Sequence, residues 1–210
     1  GAGAGVDAWY EAEAVPPNVL TNGAQKVMCN SGGQYNEMTC THEQLKEAAV
    51  CCSQGGLVVG LLGRANNNMG SGVEFHNVSV PADGNYAVTW WFHCGASDVY
   101  GDVNCGGLHY SVPNGIGCRP HLIDVNGAAV TGTVNGSSAQ FFQFPCYSTA
   151  WAVIHAVNTT LPLKAGNNTI YIHPPHVGNL DAADIDAIHV TSVGQGTGLT
   201  VTPVVGNGAN

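Results

Sequence analysis

Large apolar residues occupy every second position in many short segments of the chain, and this period of two is typical of half-buried β-strands. The clearest segment is 86–92, where one face is uniformly apolar. In 73–80 the apolar positions change phase midway, which predicts a strand with a β-bulge near Asn77. Between these segments, residues 81–85 (PADGN) predict a hairpin turn. The same pattern predicts further strands at 121–125, 140–144, 151–157, 169–173, 185–190 and 199–205.

Two segments interrupt the strand pattern. Residues 42–50 (HEQLKEAAV) are good helix formers between Cys40 and Cys51, and they predict one short helix. Residues 95–118 are rich in glycine and carry two cysteines, and they predict a long loop pinned by disulfides. Both segments are therefore interpreted as insertions between strands rather than as separate domains.

The predicted strands are short and evenly spaced, and turns separate them. Asn-Gly pairs at 126–127 and 135–136, together with residues 164–167, mark such turns. Many short strands with little helix favour an all-β fold, a β-sandwich with disulfide-pinned insertions and one short helix. The length suits one domain over 1–210, with its core at about 8–192 and an additional strand at about 198–206.

The charge balance argues against two classes of partner. The formal net charge is −9, yet only 9% of residues are charged, against roughly a quarter in an average domain. The five basic residues form no cluster, so neither nucleic acid nor an anionic membrane is expected to bind. No apolar run reaches about 18 residues, so no segment is expected to span a membrane.

The cysteines and the glycosylation sequons both favour a secreted, extracellular protein. The eight cysteines include no C-x-x-C pair, which disfavours zinc and favours disulfide bonds, although their pairing stays open. N-x-S/T sequons begin at Asn77, Asn135, Asn158 and Asn167, and each predicts a glycosylation site if the chain is made in a eukaryote. The abundance of Asn, Ser and Thr leaves chance as the alternative.

Two acidic pairs with the same spacing lie near the two ends of the predicted core. In extended backbone, Glu11 and Glu13 project from one face, and Asp184 and Asp186 repeat the spacing. Neighbouring carboxylates repel each other unless a cation lies between them, and calcium prefers such oxygen ligands. If the terminal strands pair, their carboxylates would lie around one ion. The alternative is that all four acids are solvated and bind no ion.

Several motifs together make the chain similar to carbohydrate-binding modules of families 6 and 35. Each motif is short, but they occur in the family's order and cover about 8–192. The matching segments are 10–13 (YEAE), 52–63 (CSQGGLVVGLLG), 73–86 (VEFHNVSVPADGNY), 119 with 125–127 (R and VNG), 151 (W), 163–170 (LKAGNNTI) and 182–188 (AADIDAI).

The resemblance implies a jelly-roll β-sandwich with a structural calcium ion, held by Glu11, Glu13 and Asp186. It also implies non-catalytic binding of a polysaccharide or glycan at loops on one edge of the sandwich, where Asn179 matches an Asn that hydrogen-bonds sugar hydroxyls. These ligand sets are properties of the family carried to matching positions.

A sugar site also needs an aromatic ring, because the C–H face of a pyranose packs on one. The candidates are Trp151, Trp91 and, in the predicted 95–118 loop, Tyr100 and Tyr110. Core packing is the alternative for Trp151. Trp91 lies opposite the core face of its strand, so it is either an exposed platform or covered by the 95–118 insertion.

Two other functions are weighed against carbohydrate binding. One is an extracellular structural subunit that self-assembles when a terminal strand adds to the open sheet edge of a neighbour. The other is a small enzyme, which is not expected because neither G-x-S-x-G nor H-E-x-x-H occurs.

Overall fold

Backbone hydrogen bonding in a computed structural model organises the described residues into fourteen strands. The structure describes residues 5–28, 42, 57–60, 71–93, 117–134, 137–139, 142–146, 154–174 and 182–192. The strands are β1 (Asp7–Glu11), β2 (Val19–Thr21), β3 (Gln25–Met28), β4 (Leu57–Gly60), β5 (Gly72–Val80), β6 (Gly84–His93), β7 (Gly117–Val125), β8 (Ala128–Ala129), β9 (Gly132–Val134), β10 (Ser137–Ala139), β11 (Phe142–Cys146), β12 (Ile154–Leu163), β13 (Gly166–His173) and β14 (Asp184–Ser192).

Two six-stranded antiparallel sheets face each other. Sheet I has the order β12-β6-β14-β4-β3, and β1 also pairs with β14. Sheet II has the order β11-β7-β13-β5-β2, and β8 also pairs with β7. Strands β9 and β10 form a separate two-stranded ribbon. The described residues thus form a β-sandwich, which confirms the predicted all-β fold.

The core lies between the inner faces of the two sheets. The ring of Trp90 on β6 lies 5.8 Å from that of Phe144 on β11 and 6.3 Å from that of Phe75 on β5. Phe92 lies 4.8 Å from Phe144, again across the two sheets. All four rings are fully buried, so aromatic contacts between the sheets hold the sandwich together.

Residues 81–85 do not form the predicted hairpin. Strand β5 belongs to sheet II and β6 to sheet I, so these residues carry the chain from one sheet to the other. Pro, Asp, Gly and Asn do specify a reversal, but a reversal can join two facing sheets as readily as two paired strands. The apolar faces of β5 and β6 are both buried, and this layout lets them pack against each other.

The predicted bulge near Asn77 is confirmed. Asn168 on β13 lies opposite Val78, but Ile170, two residues later, lies opposite Phe75, so β5 contains one extra residue. Asn77 has a φ of 59°, in the left-handed region that asparagine tolerates. The bulge lets apolar residues on both sides of it face the core despite their change of phase.

The buried side chain of Asn168 hydrogen-bonds to two turns and to strand β5. Its side chain is 1% exposed, and its Nδ2 donates to the carbonyl oxygens of Lys164, Gly166 and Val78 at 2.8–3.2 Å. Its Oδ1 accepts from the Lys164 backbone N–H at 2.9 Å and from Asn126 Nδ2 at 2.8 Å. This residue therefore ties the turn between β12 and β13 to the Asn-Gly turn at 126–127, both predicted from the sequence.

Other predictions fall on residues that the structure does not describe. These are the strand at 199–205, most of the 95–118 loop and the helix at 42–50, of which His42 alone is described, in helical conformation. Disulfide bonds also stay a prediction. No helix in the described part of the chain is long and apolar enough to cross a membrane.

Candidate functional site

The first and last described strands bring the predicted acidic residues together. Strand β1 pairs antiparallel with β14, and this pairing places Glu11 opposite Ala187. Just beyond the end of β1, the backbone N–H of Ala12 donates to the carbonyl oxygen of Asp186 at 2.8 Å. Residues that lie about 175 positions apart in the sequence are thus held in one corner of sheet I.

A bulge directs Asp186 toward this corner. Ile185 lies opposite Phe92 on β6, and Ala187 lies opposite Trp91, so Asp186 is the extra residue between them. Ile185 and Ile188 are fully buried and anchor the strand in the core. A bulged residue leaves the regular alternation of faces, which allows the Asp186 side chain to approach Glu11 at the end of β1 and Glu13 just after it.

Glu11, Glu13 and Asp186 form a compact group of carboxylates. One carboxylate oxygen from each lies within 4.8 Å of the other two, and the Asp186 side chain is fully buried. The Oε2 atoms of Glu11 and Glu13 are also buried and accept no hydrogen bond from the described residues. Asp184, the fourth acid of the predicted set, is not part of the group.

The Glu13 carboxyl ionises less readily in the folded protein than it would in water. Burial raises its pKa from 4.5 to about 7, and the negative charge of Glu11 adds to the rise. A backbone hydrogen bond and the positive charge of Lys26 oppose it less strongly. Closely spaced carboxylates with unsatisfied buried oxygens need a proton or a cation between them. An all-oxygen donor set is the chemistry that a hard cation such as calcium requires.

An aromatic stack lies beside the carboxylates on the outer face of sheet I. Trp9, two residues before Glu11 on β1, stacks on the ring of His42 at 4.0 Å and on that of His189 at 4.3 Å. His42 Nε2 lies 2.5 Å from Glu11 Oε1, and His189 Nε2 lies 2.5 Å from Asp7 Oδ1. Sequence reasoning missed this stack, although the i, i+2 spacing of Trp9 and Glu11 placed both on one face.

The predicted sugar-contacting residues are only partly described. Trp91 is 8% exposed and packs in a small cluster on the outer face of sheet I with Trp9, Ile154 and Ala187. A ring this buried offers no open face to a pyranose, so its burial does not support the platform role. Trp151, Tyr100 and Asn179 lie outside the described residues, and their roles stay predictions.

Three of the four sequon asparagines are described, and all three are exposed. Asn77 lies in the β5 bulge, Asn158 on β12 and Asn167 on β13. The Oδ1 of Asn158 accepts a hydrogen bond from Thr89 Oγ1 at 2.6 Å. Asn135 lies outside the described residues. Exposure satisfies one requirement of glycosylation, and glycosylation of these sites stays a prediction.

Comparison with known proteins gives matches in structure but not in sequence. No family model matches the chain, and no curated protein matches it. A family 35 carbohydrate binding module from Clostridium thermocellum is similar over 88% of this chain and 98% of its own, at 22% identity and a TM-score of 0.57. The corresponding module from Paenibacillus barcinonensis matches over the same shares, at 17% identity and a TM-score of 0.51.

An enzyme is also among the similar structures. The exo-beta-1,3-galactanase from Phanerochaete chrysosporium matches 88% of this chain but only 29% of its own, at 21% identity and a TM-score of 0.53. The likeness therefore concerns one part of that enzyme. Together these matches show that the chain has the β-sandwich fold of family 35 carbohydrate binding modules.

Proposed function

We propose that this protein is a non-catalytic, extracellular carbohydrate-binding module with a structural calcium ion. The observation that carries the proposal is the likeness to the Clostridium thermocellum module over 98% of that chain. The expectation that the chain is not an enzyme rests on the absence of the G-x-S-x-G and H-E-x-x-H motifs, and the likeness to a binding module supports it.

The carboxylate group supports the calcium part of the proposal. Glu11, Glu13 and Asp186 would hold the ion, and its charge would neutralise acids that otherwise repel each other. Because Glu11 ends β1, Glu13 lies in the turn that follows and Asp186 lies on β14, the ion would fasten β1 to β14. Its contribution is to the stability of the fold, since metal binding to a folded site adds to folding free energy.

Sugar recognition is assigned to loop residues at the edge of the sandwich. Asn179 would hydrogen-bond sugar hydroxyls, and Trp151 or Tyr100 would supply the aromatic face that a pyranose needs. Trp91 is the weakest of the predicted candidates, because it is buried.

A glycan microarray probed with the labelled full-length chain in calcium tests sugar binding. The array should include β-1,3-galactans, since the galactanase neighbour was solved with beta-1,3-galactotriose, together with other plant, algal and bacterial glycans. We expect binding to at least one glycan class and its loss in Asn179→Ala. An array without signal for the wild-type chain would overturn the proposal.

Secretion is the compartment that the sequence favours. The eight cysteines and the exposed sequons at Asn77, Asn158 and Asn167 support it. The alternative, an extracellular structural subunit that assembles through terminal strands, stays a prediction because residues 199–205 lie outside the described part of the chain. Deleting 195–210 and measuring mass by light scattering tests it: a chain that is monomeric with and without the deletion would exclude it.

A further inference from the structure

We infer that His42 is a positioning residue for the calcium site: it fixes the Glu11 carboxylate so that the second oxygen faces the ion. This inference rests on the proposed function, because it concerns the same site. It assigns a role to a residue that lies within the segment between Cys40 and Cys51 and outside all the motifs that resemble the carbohydrate-binding modules.

The two oxygens of Glu11 have different surroundings. Oε1 lies 2.5 Å from Nε2 of His42, a distance at which the imidazole N–H donates to the carboxylate. Oε2 is buried and accepts no hydrogen bond from the described residues, and it belongs to the carboxyl group that approaches Glu13 and Asp186. A hydrogen bond on one oxygen fixes the rotation of the carboxyl group and so directs the other oxygen.

The imidazole is itself held by Trp9. The two rings are 4.0 Å apart and only 6° from parallel, so the indole restricts the plane of the imidazole. Trp9 and Glu11 project from the same face of β1, and His42 contacts both. The side chains of His42 and Glu11 are 26% and 23% exposed, so the pair is partly shielded from water, which strengthens its hydrogen bond.

A second histidine in the same stack provides a matched control. His189 stacks on Trp9 at 4.3 Å and 10°, and its Nε2 lies 2.5 Å from Asp7 Oδ1. Asp7 is not part of the carboxylate group. His42 and His189 therefore share the aromatic contact and a carboxylate partner, but only His42 contacts a residue that would bind the ion.

The test is calorimetric titration of calcium chloride into the full-length chain at pH 8. His42→Phe retains a ring that can stack on Trp9 but removes the N–H donor, and it should raise the calcium Kd about tenfold or more, the usual cost of losing an orienting hydrogen bond to a metal ligand. His42→Gln, which retains an N–H donor, should recover most of the affinity. His189→Phe should bind calcium as the wild type does.

Melting temperatures in the absence of metal separate positioning from general stability. If His42 only supported the fold, His42→Phe and His189→Phe would lower the metal-free melting temperature alike and leave the calcium Kd unchanged. Equal calcium Kd values for wild type, His42→Phe and His189→Phe would overturn the inference while leaving the calcium site intact. A wild-type chain that binds no calcium would overturn the site and this inference together.

Discussion

The backbone N–H of Ala12 donates to the carbonyl oxygen of Asp186 across 2.8 Å. This single hydrogen bond extends the pairing of the first strand with the last into the turn that contains Glu13. Main-chain pairing thereby brings Glu11 and Glu13, on either side of Ala12, close to Asp186. Side-chain substitutions of these acids should leave that pairing in place. Variants of the acids can therefore test cation binding without removing the framework that holds them.

Calcium should stabilise the protein through these acids. At a free concentration of about 100 times its Kd, an ion that binds only the folded state adds about 2.7 kcal/mol to the free energy of unfolding. We expect a higher melting temperature in calcium than in EDTA for the wild type, and little or no difference for Glu13→Gln. Glu74→Gln, on β5 of the other sheet, is the matched control and should respond as the wild type does.

In the calcium-free protein, the contribution of Glu13 to stability should fall as the pH rises through its titration range. The folded-state pKa of Glu13 is raised to about 7 from 4.5, so between these values the folded state retains a proton that the unfolded chain has lost. The free energy of unfolding contributed by this group therefore decreases from about pH 4.5 to about pH 7. In urea denaturation without calcium, the unfolding free energy of the wild type minus that of Glu13→Gln should decline across this range, because the difference isolates this group from others that titrate there.

Saturating calcium should remove that decline, because the ion binds the ionised carboxylate and competes with the proton. Equal pH profiles for wild type and Glu13→Gln in the absence of calcium would contradict the assignment of the raised pKa to this group.

His121 should produce a pH dependence of opposite sign. Its Nε2 accepts from the backbone N–H of Ala183 at 3.2 Å, so Nδ1 carries the proton and donates to the Arg119 carbonyl oxygen at 3.1 Å. Burial, joined by the positive charge of Arg119, lowers the pKa of His121 to about 3 from 6.5. Below about pH 6.5, His121 therefore binds a proton in the unfolded chain but not in the folded state, and stability is lost as the pH falls.

The measurement is the slope of unfolding free energy against pH between 6.5 and 4. His121→Gln should flatten this slope even if it lowers stability at every pH, because the titrating group is gone. An unchanged slope would show that other groups dominate acid unfolding.

Asn168→Ala should cost about 2–4 kcal/mol of stability. The substitution leaves the buried polar groups that Asn168 satisfies without their hydrogen bonds, and each such loss costs about 1–3 kcal/mol before relaxation. The neighbouring Asn167 is exposed, so Asn167→Ala is the control and should change stability by less than about 0.5 kcal/mol. Urea denaturation of both variants, made without glycosylation, provides the comparison, and equal stabilities would refute the role of Asn168.

The strand pattern was predictable because it depends on local spacing. The meeting of the terminal acids was predictable mainly from the resemblance to carbohydrate-binding modules, since spacing alone left four solvated acids as the alternative. Alternation identified β6, and the phase change near 77 identified the bulge in β5. Spacing indicated four acids, and the resemblance selected Glu11, Glu13 and Asp186, the three that lie together. The sheet to which a strand belongs depends instead on contacts between distant faces. The local pattern of residues 81–85 therefore predicts a hairpin, although these residues join two sheets.

The same limit applies to side chains that act through distant partners. Alternation along β13 places Asn168 in phase with the buried Ile170 and Ile172, but its bonds to Val78 and Asn126 arise only when the strands assemble. The contact of His42 with Glu11 likewise joins a predicted helix to a strand, and no periodic pattern encodes it.

Affinity electrophoresis with an assay for released reducing ends is the most direct test of the central claim, that the chain binds carbohydrate without cleaving it. The full-length chain is run in calcium through native gels that contain single polysaccharides, and the same polysaccharides are incubated with it in solution. We expect retarded migration with at least one polysaccharide and no release of reducing sugar. Uniform mobility across all the gels, or release of reducing ends from a bound polysaccharide, would contradict it.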